Sequence, residues 1–513
     1  TDYYVKFWVE NDEQKSLLLA DSLNLSVVPL DVDIVEDGDY YVEEGSALDG
    51  PRWLYTSVVE DYHFHEGIKY EKLEDLFLIE ASDLGEEVED EEMKTTTIGG
   101  KTGISKKFLY DLEDEALMLT GNYEAEQSLN SSAVARSKQR PQGHVRVLNT
   151  VSNNFDPVVG VKVKTRRWFK WAKGWTNAEG FYRVNRGYRR DVHYTVVFKN
   201  SRGFKIWPSV VSVSAARYRA GKHSKFGHNI NFGTNSVGWR WATVNNATRR
   251  YLDYCTQFGI GRPHSNLRIV ALGGSGASSA PMLRRVWGFY GFTSKSKVVT
   301  FLAKANKLSM GANLVAHMLK FIQPDLIIRA NANRGTDRVF ATTFHELAHA
   351  SHFKKVGSRY WIRYINYIIS YGAYGNGSGK NHGICALGEA WGNHIEHFLV
   401  IQEFGNNNRI LSLGAFENFD PWERPRGDGV DKFTGSWRGW MPCGIMHDLM
   451  DINTDLVRAG FTDDVTGYSI RNIYDALDSG IESPQAFRDR LLTENDNRDV
   501  DDVRELFEAY YWD

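Results

Sequence analysis

The run TTFHELAHASHF places His345, Glu346 and His349 in an HExxH spacing, which constrains the chain more than any other feature. Residues four apart lie one above the other on the same face of an α-helix. Two imidazoles at that spacing can therefore bind one zinc ion from a single turn, and the glutamate beside them can hold a water on that metal. The spacing predicts a helix that carries a zinc site.

The residues around this run also favour a helix. Residues 338–354 contain neither Gly nor Pro, and five of them share one stripe at 100° per residue. The stripe consists of Phe340, Phe344, Leu347, Ala348 and Ser351. His345 and His349 project away from it, so we expect the stripe to pack inward and the histidines to face a cleft. The apolar run 324–330 predicts a strand just before the helix.

A catalytic zinc usually takes three protein ligands, so the site needs one more. Residues 386–400 (ALGEAWGNHIEHFLV) predict a second helix, and Glu389 in that helix is one candidate for this ligand. His352, one turn beyond His349, is expected at the rim of the site or as a support for a ligand. The alternatives for the third ligand are Glu396, His394, His397 and His382.

The HExxH run followed by the GEAWGN segment resembles the gluzincin metallopeptidases, the thermolysin-like zincins, over residues 340–399. The metzincin class is excluded, because it requires Gly and His where this chain has His352 and Lys355. The resemblance implies that Glu389 is a zinc ligand and that a carboxylate four residues later supports a ligand histidine. Asn393 occupies that place, and its carbonyl oxygen is expected to accept the histidine's second N–H.

The resemblance also implies a reaction. Glu346 is expected to act as general base toward a zinc-bound water, which attacks the peptide carbonyl, and then to return the proton to the leaving amine. Gluzincins use a Tyr or His from the C-terminal half to stabilise the oxyanion. The residues available for that role are Tyr371, Tyr374, His382 and Tyr468.

Length and cysteine content set outer limits. A chain of 513 residues is too long for one ordinary core, and roughly two to four domains are expected. Cys255, Cys385 and Cys443 allow at most one disulfide, and the chain has no CxxC pair for a structural zinc. No run approaches the length of a membrane span. The chain begins at Thr1 without an initiator Met or signal peptide, which fits a processed secreted protein or a trimmed chain.

The charge is strongly segregated. Residues 1–98 contain 27 acidic and 6 basic side chains, a net of −21, whereas residues 136–230 contain 21 basic and 3 acidic, a net of +18. The basic segment could bind a polyanion such as nucleic acid, a sulfated or sialylated glycan, or an anionic cell surface. We favour the alternative that the two segments pair within the chain or form solvated faces. Nucleic acid is disfavoured because no known motif accompanies the charge.

The patterning predicts a multidomain chain. Residues 1–130 predict an acidic, β-rich or mixed module. Residues 141–235 alternate at period two, and their PVVGVKV and TNAEGF segments resemble the carboxypeptidase-regulatory-like or transthyretin-like β-sandwich, an Ig-like domain often attached to secreted bacterial enzymes. That resemblance implies an accessory role. Residues 236–513 are expected to form an α+β zincin catalytic domain with a mainly helical C-terminal subdomain.

The C-terminal subdomain carries two further expectations. Residues 445–458 and 470–492 predict helices. Three aspartates in this region lie in reach of a cation such as calcium, although scattered aspartates are usually solvated. They are Asp448, Asp451 and Asp455.

Two alternatives compete with a zinc enzyme. The segment GGSGA at 273–277 nearly fits a nucleophile elbow with Ser275 as nucleophile, but SSAP follows where a helix is required. The second alternative is a catalytically inactive surface adhesion or glycan-binding protein on a zincin fold. Because the HExxH residues and Glu389 are intact, we expect a secreted or cell-surface zinc metallopeptidase that cleaves extracellular protein or glycoprotein. The absence of a GxMEN-like segment favours endopeptidase action.

Overall fold

The computed structural model mixes β-sheets with helices. It describes residues 2–21, 23, 25–27, 50–59, 62–76, 138–167, 170–209, 214–274, 276–290, 297–298, 300–302, 323–371, 377–405, 442, 444–452, 456–458, 461–510 and 512. Four residues of interest in the sequence lie outside these ranges: Ser275, Tyr374, Cys443 and Asp455. The acidic run at 83–92 lies outside them as well.

The elements are numbered in chain order. The strands are β1 (Asp2–Val9), β2 (Arg52–Val59), β3 (Tyr70–Leu76), β4 (Gln142–Asn149), β5 (Asn154–Pro157), β6 (Val161–Arg167), β7 (Lys170–Trp175), β8 (Phe181–Arg183), β9 (Val192–Asn200), β10 (Lys205–Trp207), β11 (Arg217–His223), β12 (Ile230–Phe232), β13 (Arg268–Leu272), β14 (Leu326–Arg329), β15 (Leu456–Arg458) and β16 (Phe461–Thr462). The helices are α1 (Asp12–Ala20), α2 (Val237–Phe258), α3 (Leu283–Val286), α4 (Thr336–Tyr371), α5 (His382–Phe404), α6 (Ile445–Asp448), α7 (Ile470–Ala476), α8 (Pro484–Glu494) and α9 (Val500–Ala509).

The N-terminal residues form a small antiparallel sheet in the order β2-β1-β3, next to α1. Alternate residues of β1 face one side, and Val5, Phe7 and Val9 are buried there. Leu18 of α1 and Leu54 of β2 join them in a core of their own. This part of the chain is therefore β-rich, with its own hydrophobic centre.

One sheet crosses the expected boundary between residues 235 and 236. Its strand order is β14-β13-β10-β9-β6-β7, with β11 also paired to β9. Strand β10 runs parallel to β13, pairing Lys205 with Arg268 and Trp207 with Val270. A single hydrophobic core likewise extends from Val145 to Trp512. The strands of the basic segment and the helices that follow are built into one body.

The helix α2 fastens a second sheet, β12-β4-β5 with β8 on β4, to the rest of the core. The Ser236 hydroxyl caps the start of α2, and Gly259 ends the helix in the left-handed conformation. The Trp239 indole N–H donates to the Leu148 carbonyl of β4 at 2.8 Å. On the other side, the Tyr251 hydroxyl lies 2.8 Å from Ser351 Oγ of α4. Helix α2 thus links the sheet to α4.

The C-terminal part differs from the expected pattern in two places. Helix α6 ends at Asp448, and residues 456–458 pair with β16 as a strand, so the single helix predicted over 445–458 is wrong. The helix predicted over 470–492 is two helices, because Ser483 and Pro484 start a new one. No described helix has the length and apolar composition needed to cross a membrane. Cys255 and Cys385 are both buried.

Candidate metal centre

The HExxH residues lie in the first half of α4. The expected apolar stripe is buried, but the opposite face of α4 is covered too, because α5 packs across it. Glu346 and His349 are buried, and only 12 % of the His345 side chain is exposed. The histidines therefore face the neighbouring helix α5, and His345 keeps a small exposed fraction.

Glu389 of α5 forms a compact cluster with the two histidines. His345 Nε2 lies 3.1 Å from His349 Nε2 and 3.4 Å from Glu389 Oε2. His349 Nε2 lies 3.6 Å from Glu389 Oε1. One ligand atom from each residue lies within 4.8 Å of the other two. Among the described residues, no other three His, Cys, Asp or Glu side chains are grouped in this way.

These separations fit a tetrahedral metal ion. Bonds of about 2.0–2.1 Å to zinc place neighbouring ligand atoms roughly 3.3 Å apart. The two facing ring nitrogens repel each other unless a proton or cation lies between them. Glu389 Oε2, which is buried, has no hydrogen-bond partner among the residues that the structure describes. Two imidazoles and one carboxylate can therefore hold a metal ion at this place.

Gly392 allows α5 to approach the histidines. A Cβ atom at this position would lie 2.8 Å from His345 Cε1 and 3.0 Å from His349 Cε1, closer than packing permits. Gly388, one turn earlier, faces the Tyr364 ring, and a Cβ there would lie 3.3 Å from the ring. The glycines of the GEAWGN segment thus bring Glu389 within reach of α4.

Tyr364 is a site residue that the sequence pattern did not indicate. It is buried, its hydroxyl donates to Glu389 Oε1, and its ring centroid lies 5.8 Å from that of His349. Gly357, with φ 80° and ψ 176°, breaks α4 into two helical segments. Because helical periodicity does not continue across such a break, projection from the HExxH turn cannot place Tyr364. Its only sequence clue is the glycine that interrupts the helix.

Glu396 lies against His345 Nδ1, the ring nitrogen that points away from Glu389. Its Oε2 lies 3.1 Å from His345 Nδ1, while His345 Nε2 faces Glu389. Asn393, the residue expected in this supporting role, donates instead from Nδ2 to the Glu389 backbone carbonyl at 2.8 Å. That bond lies within α5. Glu396 therefore provides the carboxylate–histidine contact that fixes ring orientation in many metal sites.

Burial and neighbouring charge shift the protonation of the cluster. Burial opposes the charged form of His345, but Glu389 and Glu396 outweigh it and raise the pKa of His345 well above its ordinary value. Burial raises the pKa of Glu346 to about 8 and lowers the pKa of His349 to about 4. The pKa of Glu389 is lowered, because His349 and His345 outweigh its burial. Glu389 and Glu396 both lie against the imidazoles, and a divalent cation between the ring nitrogens would be attracted to this carboxylate-rich surrounding.

The residues expected to stabilise an oxyanion have other contacts. Tyr371 ends α4 with 46 % exposure, and its ring packs against Tyr367. His382 Nδ1 lies 2.9 Å from the Gly379 carbonyl. The buried Tyr468 donates its hydroxyl to the Arg498 carbonyl at 2.7 Å. None of these contacts involves the metal cluster.

The other candidates that the structure describes have contacts of their own outside the three ligands. His394 is buried, with its ring 5.9 Å from that of Phe398. His352 is buried against Tyr360 rather than standing at a rim, and burial lowers its pKa to about 3. Asp448 accepts a hydrogen bond from the Tyr510 hydroxyl at 2.6 Å. The described residues contain no second cluster of metal ligands, and Asp455, one of the three aspartates in the calcium expectation, lies outside them.

Comparison with known proteins gives no family. No family model matches the chain, no curated protein matches it, and no solved structure matches it. The function must therefore be inferred from the residues of the site.

Proposed function

We propose that this chain is a zinc-dependent metallopeptidase of gluzincin type, in which His345, His349 and Glu389 are the metal ligands. The observation that carries the proposal is the arrangement of their three ligand atoms, with Glu346 beside His345 in the same turn. Two imidazoles and one carboxylate are the donor set of catalytic zinc in this enzyme class. The strands of residues 141–235 serve as the accessory β-sandwich, and residues 236–513 as the zincin region.

The supporting residues orient the ligands. Glu396 beside His345 Nδ1 keeps the proton on that nitrogen, so the lone pair of Nε2 is directed toward the metal position. The Tyr364 hydroxyl occupies Glu389 Oε1 and leaves Oε2 for the metal. Zinc, when bound, supplies a Lewis acid that polarises a carbonyl and makes water acidic near neutral pH.

Glu346 performs the proton transfers in this proposal. Its carboxylate accepts a proton from the attacking water and later gives it to the leaving amine nitrogen, so the peptide bond is exchanged for a carboxylate and a free amine. Burial raises the pKa of Glu346 to about 8. Such a carboxyl group holds a proton readily near neutral pH, which suits a group that must both take and return it. A nearby divalent cation favours its ionised form.

The substrate in this proposal is an extracellular protein or glycoprotein, cleaved internally by a secreted or cell-surface enzyme. A polyanion held by the basic residues of 136–230 would be an additional partner of the same protein. The rival proposal is an inactive adhesion or glycan-binding protein. It predicts that zinc binds at the metal centre but that the protein cleaves no peptide bond.

Metal analysis tests the proposal first. The wild type should carry about one zinc per chain by inductively coupled plasma mass spectrometry, and Glu389→Ala should lose most of it. Glu482→Ala is the matched control, because Glu482 is exposed and pairs with Arg363 on the surface. Zinc in neither protein after zinc is supplied would refute the proposal. Zinc without hydrolysis of any protein substrate would favour the adhesion protein.

A further inference from the structure

A cavity lined by cationic side chains lies beside α4, about one and a half turns after the metal ligand His349. Its volume is about 520 Å³, within the range of small-molecule sites. Arg284, Arg285 and Lys354 line it, and no carboxylate does so among the described residues. Lys354 is five residues beyond His349, roughly 7.5 Å along the helix axis. The cavity is therefore close to the metal centre but separate from it.

The two arginines are held in fixed positions. Arg284 Nη2 donates to Asn266 Oδ1 at 2.9 Å, and Arg285 Nη2 donates to the same oxygen at 2.9 Å. Behind them, the fully buried Asp325 lies 3.3 Å from Arg284 Nη2 and 3.4 Å from Arg285 Nε. This single carboxylate balances one of the two guanidinium charges. The fixed forks resemble the planar donors that recognise phosphate and sulfate groups.

The rest of the wall adds positive charge and one apolar surface. The second segment of α4 begins after Gly357, and Gly357 and Ser358 both line the cavity. The start of a helix carries a partial positive charge and backbone N–H groups that favour anions. Phe353 provides the apolar wall. The pKa of His264, another lining residue, falls to about 4 through burial and repulsion from Arg285, Lys354 and Arg284.

We infer that this cavity binds a small organic phosphate or sulfate monoester, with the oxyanion on Arg284, Arg285 and Lys354 and the organic group against Phe353. The charge imbalance favours an anion, because three cations line the wall and the one buried carboxylate offsets a single charge. The cavity volume exceeds what an inorganic oxyanion fills, which leaves room for the organic group. The inference does not depend on the proposed peptidase function.

Isothermal titration calorimetry on the full chain tests the inference, with phenyl phosphate, phenyl sulfate, inorganic phosphate and acetate at constant ionic strength. Phenyl phosphate or phenyl sulfate should bind more tightly than inorganic phosphate, and acetate more weakly than either. Lys354→Gln should weaken binding of the phenyl ester about tenfold by removing one charge-assisted contact. This change leaves the buried Asp325 paired with both arginines. Arg490→Gln is the control, because Arg490 pairs with surface carboxylates.

The same titration separates the cavity from the metal centre. Binding to Glu389→Ala, which lacks the third metal ligand, should equal binding to the wild type. Equal weakening by Lys354→Gln and Arg490→Gln would reduce the effect to general surface charge and overturn the inference. Loss of binding in Glu389→Ala alone would move the anion to the metal centre and also overturn it. The absence of measurable binding to every anion would do the same.

Discussion

Helix α4 carries two polar regions of opposite charge. Glu389 and Glu396 lie against the imidazoles of His345 and His349, whereas around Lys354 three cations line a cavity backed by one buried carboxylate. Side chains of like charge that line one site repel each other and raise the local concentration of ligands of the opposite charge. The sign of the charge around each region indicates the class of ligand that it can bind. The first region calls for a cation and the second for an anion.

The largest expected effect comes from a variant that distinguishes zinc binding from catalysis at the metal centre. Glu346→Gln should keep about one zinc per chain and lower peptidase activity roughly 10²- to 10⁴-fold, because the amide cannot take the proton. The measurement is hydrolysis of a protein substrate alongside metal content. Glu482→Gln, at an exposed carboxylate, should change neither. Full activity in Glu346→Gln would assign the proton transfer to another group.

Gly392→Ala tests whether close helix packing assembles the metal centre. The added methyl would press on both ligand imidazoles, and overpacking of this kind costs about 1–3 kcal/mol. If this free energy disfavours the zinc-bound arrangement of the imidazoles, the Gly392→Ala protein should bind zinc roughly 10- to 100-fold more weakly. A competition assay with a chelating dye measures this affinity. Gly480→Ala is the control, because a Cβ there meets no atom within 4 Å. Unchanged affinity in Gly392→Ala would show that α5 can move away at little cost.

Tyr364→Phe removes the hydroxyl that donates to Glu389 while keeping the ring. Zinc affinity should fall about tenfold, because such supporting contacts orient the ligand. The same dye competition measures it. Tyr371→Phe, at the exposed end of α4, should leave zinc affinity at the wild-type value. If both variants bind zinc like the wild type, Tyr364 serves only packing.

The smallest expected effect concerns pH in the cationic region. The pKa of His264 lies at about 4 in the folded protein, below its ordinary value of 6.5. Between these values the unfolded chain binds more protons, so this residue makes stability fall as pH falls from about 6.5 to about 4. In His264→Gln, the melting temperature should fall slightly less between pH 6.5 and pH 4 than it does in the wild type. Scanning calorimetry measures this difference. The control His63→Gln, at an exposed residue, should give the wild-type dependence of melting temperature on pH. The same dependence in His264→Gln would contradict the lowered pKa of His264 beside the three cations.

Local spacing made part of this molecule predictable. His345 and His349 are one helical turn apart, and Glu389 lies in a second apolar helix, so their chemistry can be inferred from short segments. Tyr364 could not be placed, because Gly357 breaks the helical register between it and the histidines. The sequence offers Glu396 as an alternative third ligand, and only the packed helices show that it faces His345 Nδ1.

Contacts between segments distant in the sequence could not be predicted from such local patterns. Arg284 and Lys354 are 70 residues apart in the sequence, and nothing in their local patterns joins them around one cavity. The parallel pairing of β10 with β13 likewise connects segments separated by α2. Period-two alternation shows which residues form strands but not which distant strand each one pairs with. The expected boundary at 235/236 rests on period-two alternation and a resemblance over residues 141–235, neither of which carries information on such pairing.

The shared sheet has a consequence for how the chain folds during synthesis. Strand β10 emerges from the ribosome well before β13, and β13 in turn before β14, which completes the sheet at Arg329. Until then the strands of the basic segment have an open edge, and non-local pairing of this kind forms slowly. Nascent chains that stop short of residue 329 should therefore be the species most dependent on chaperones.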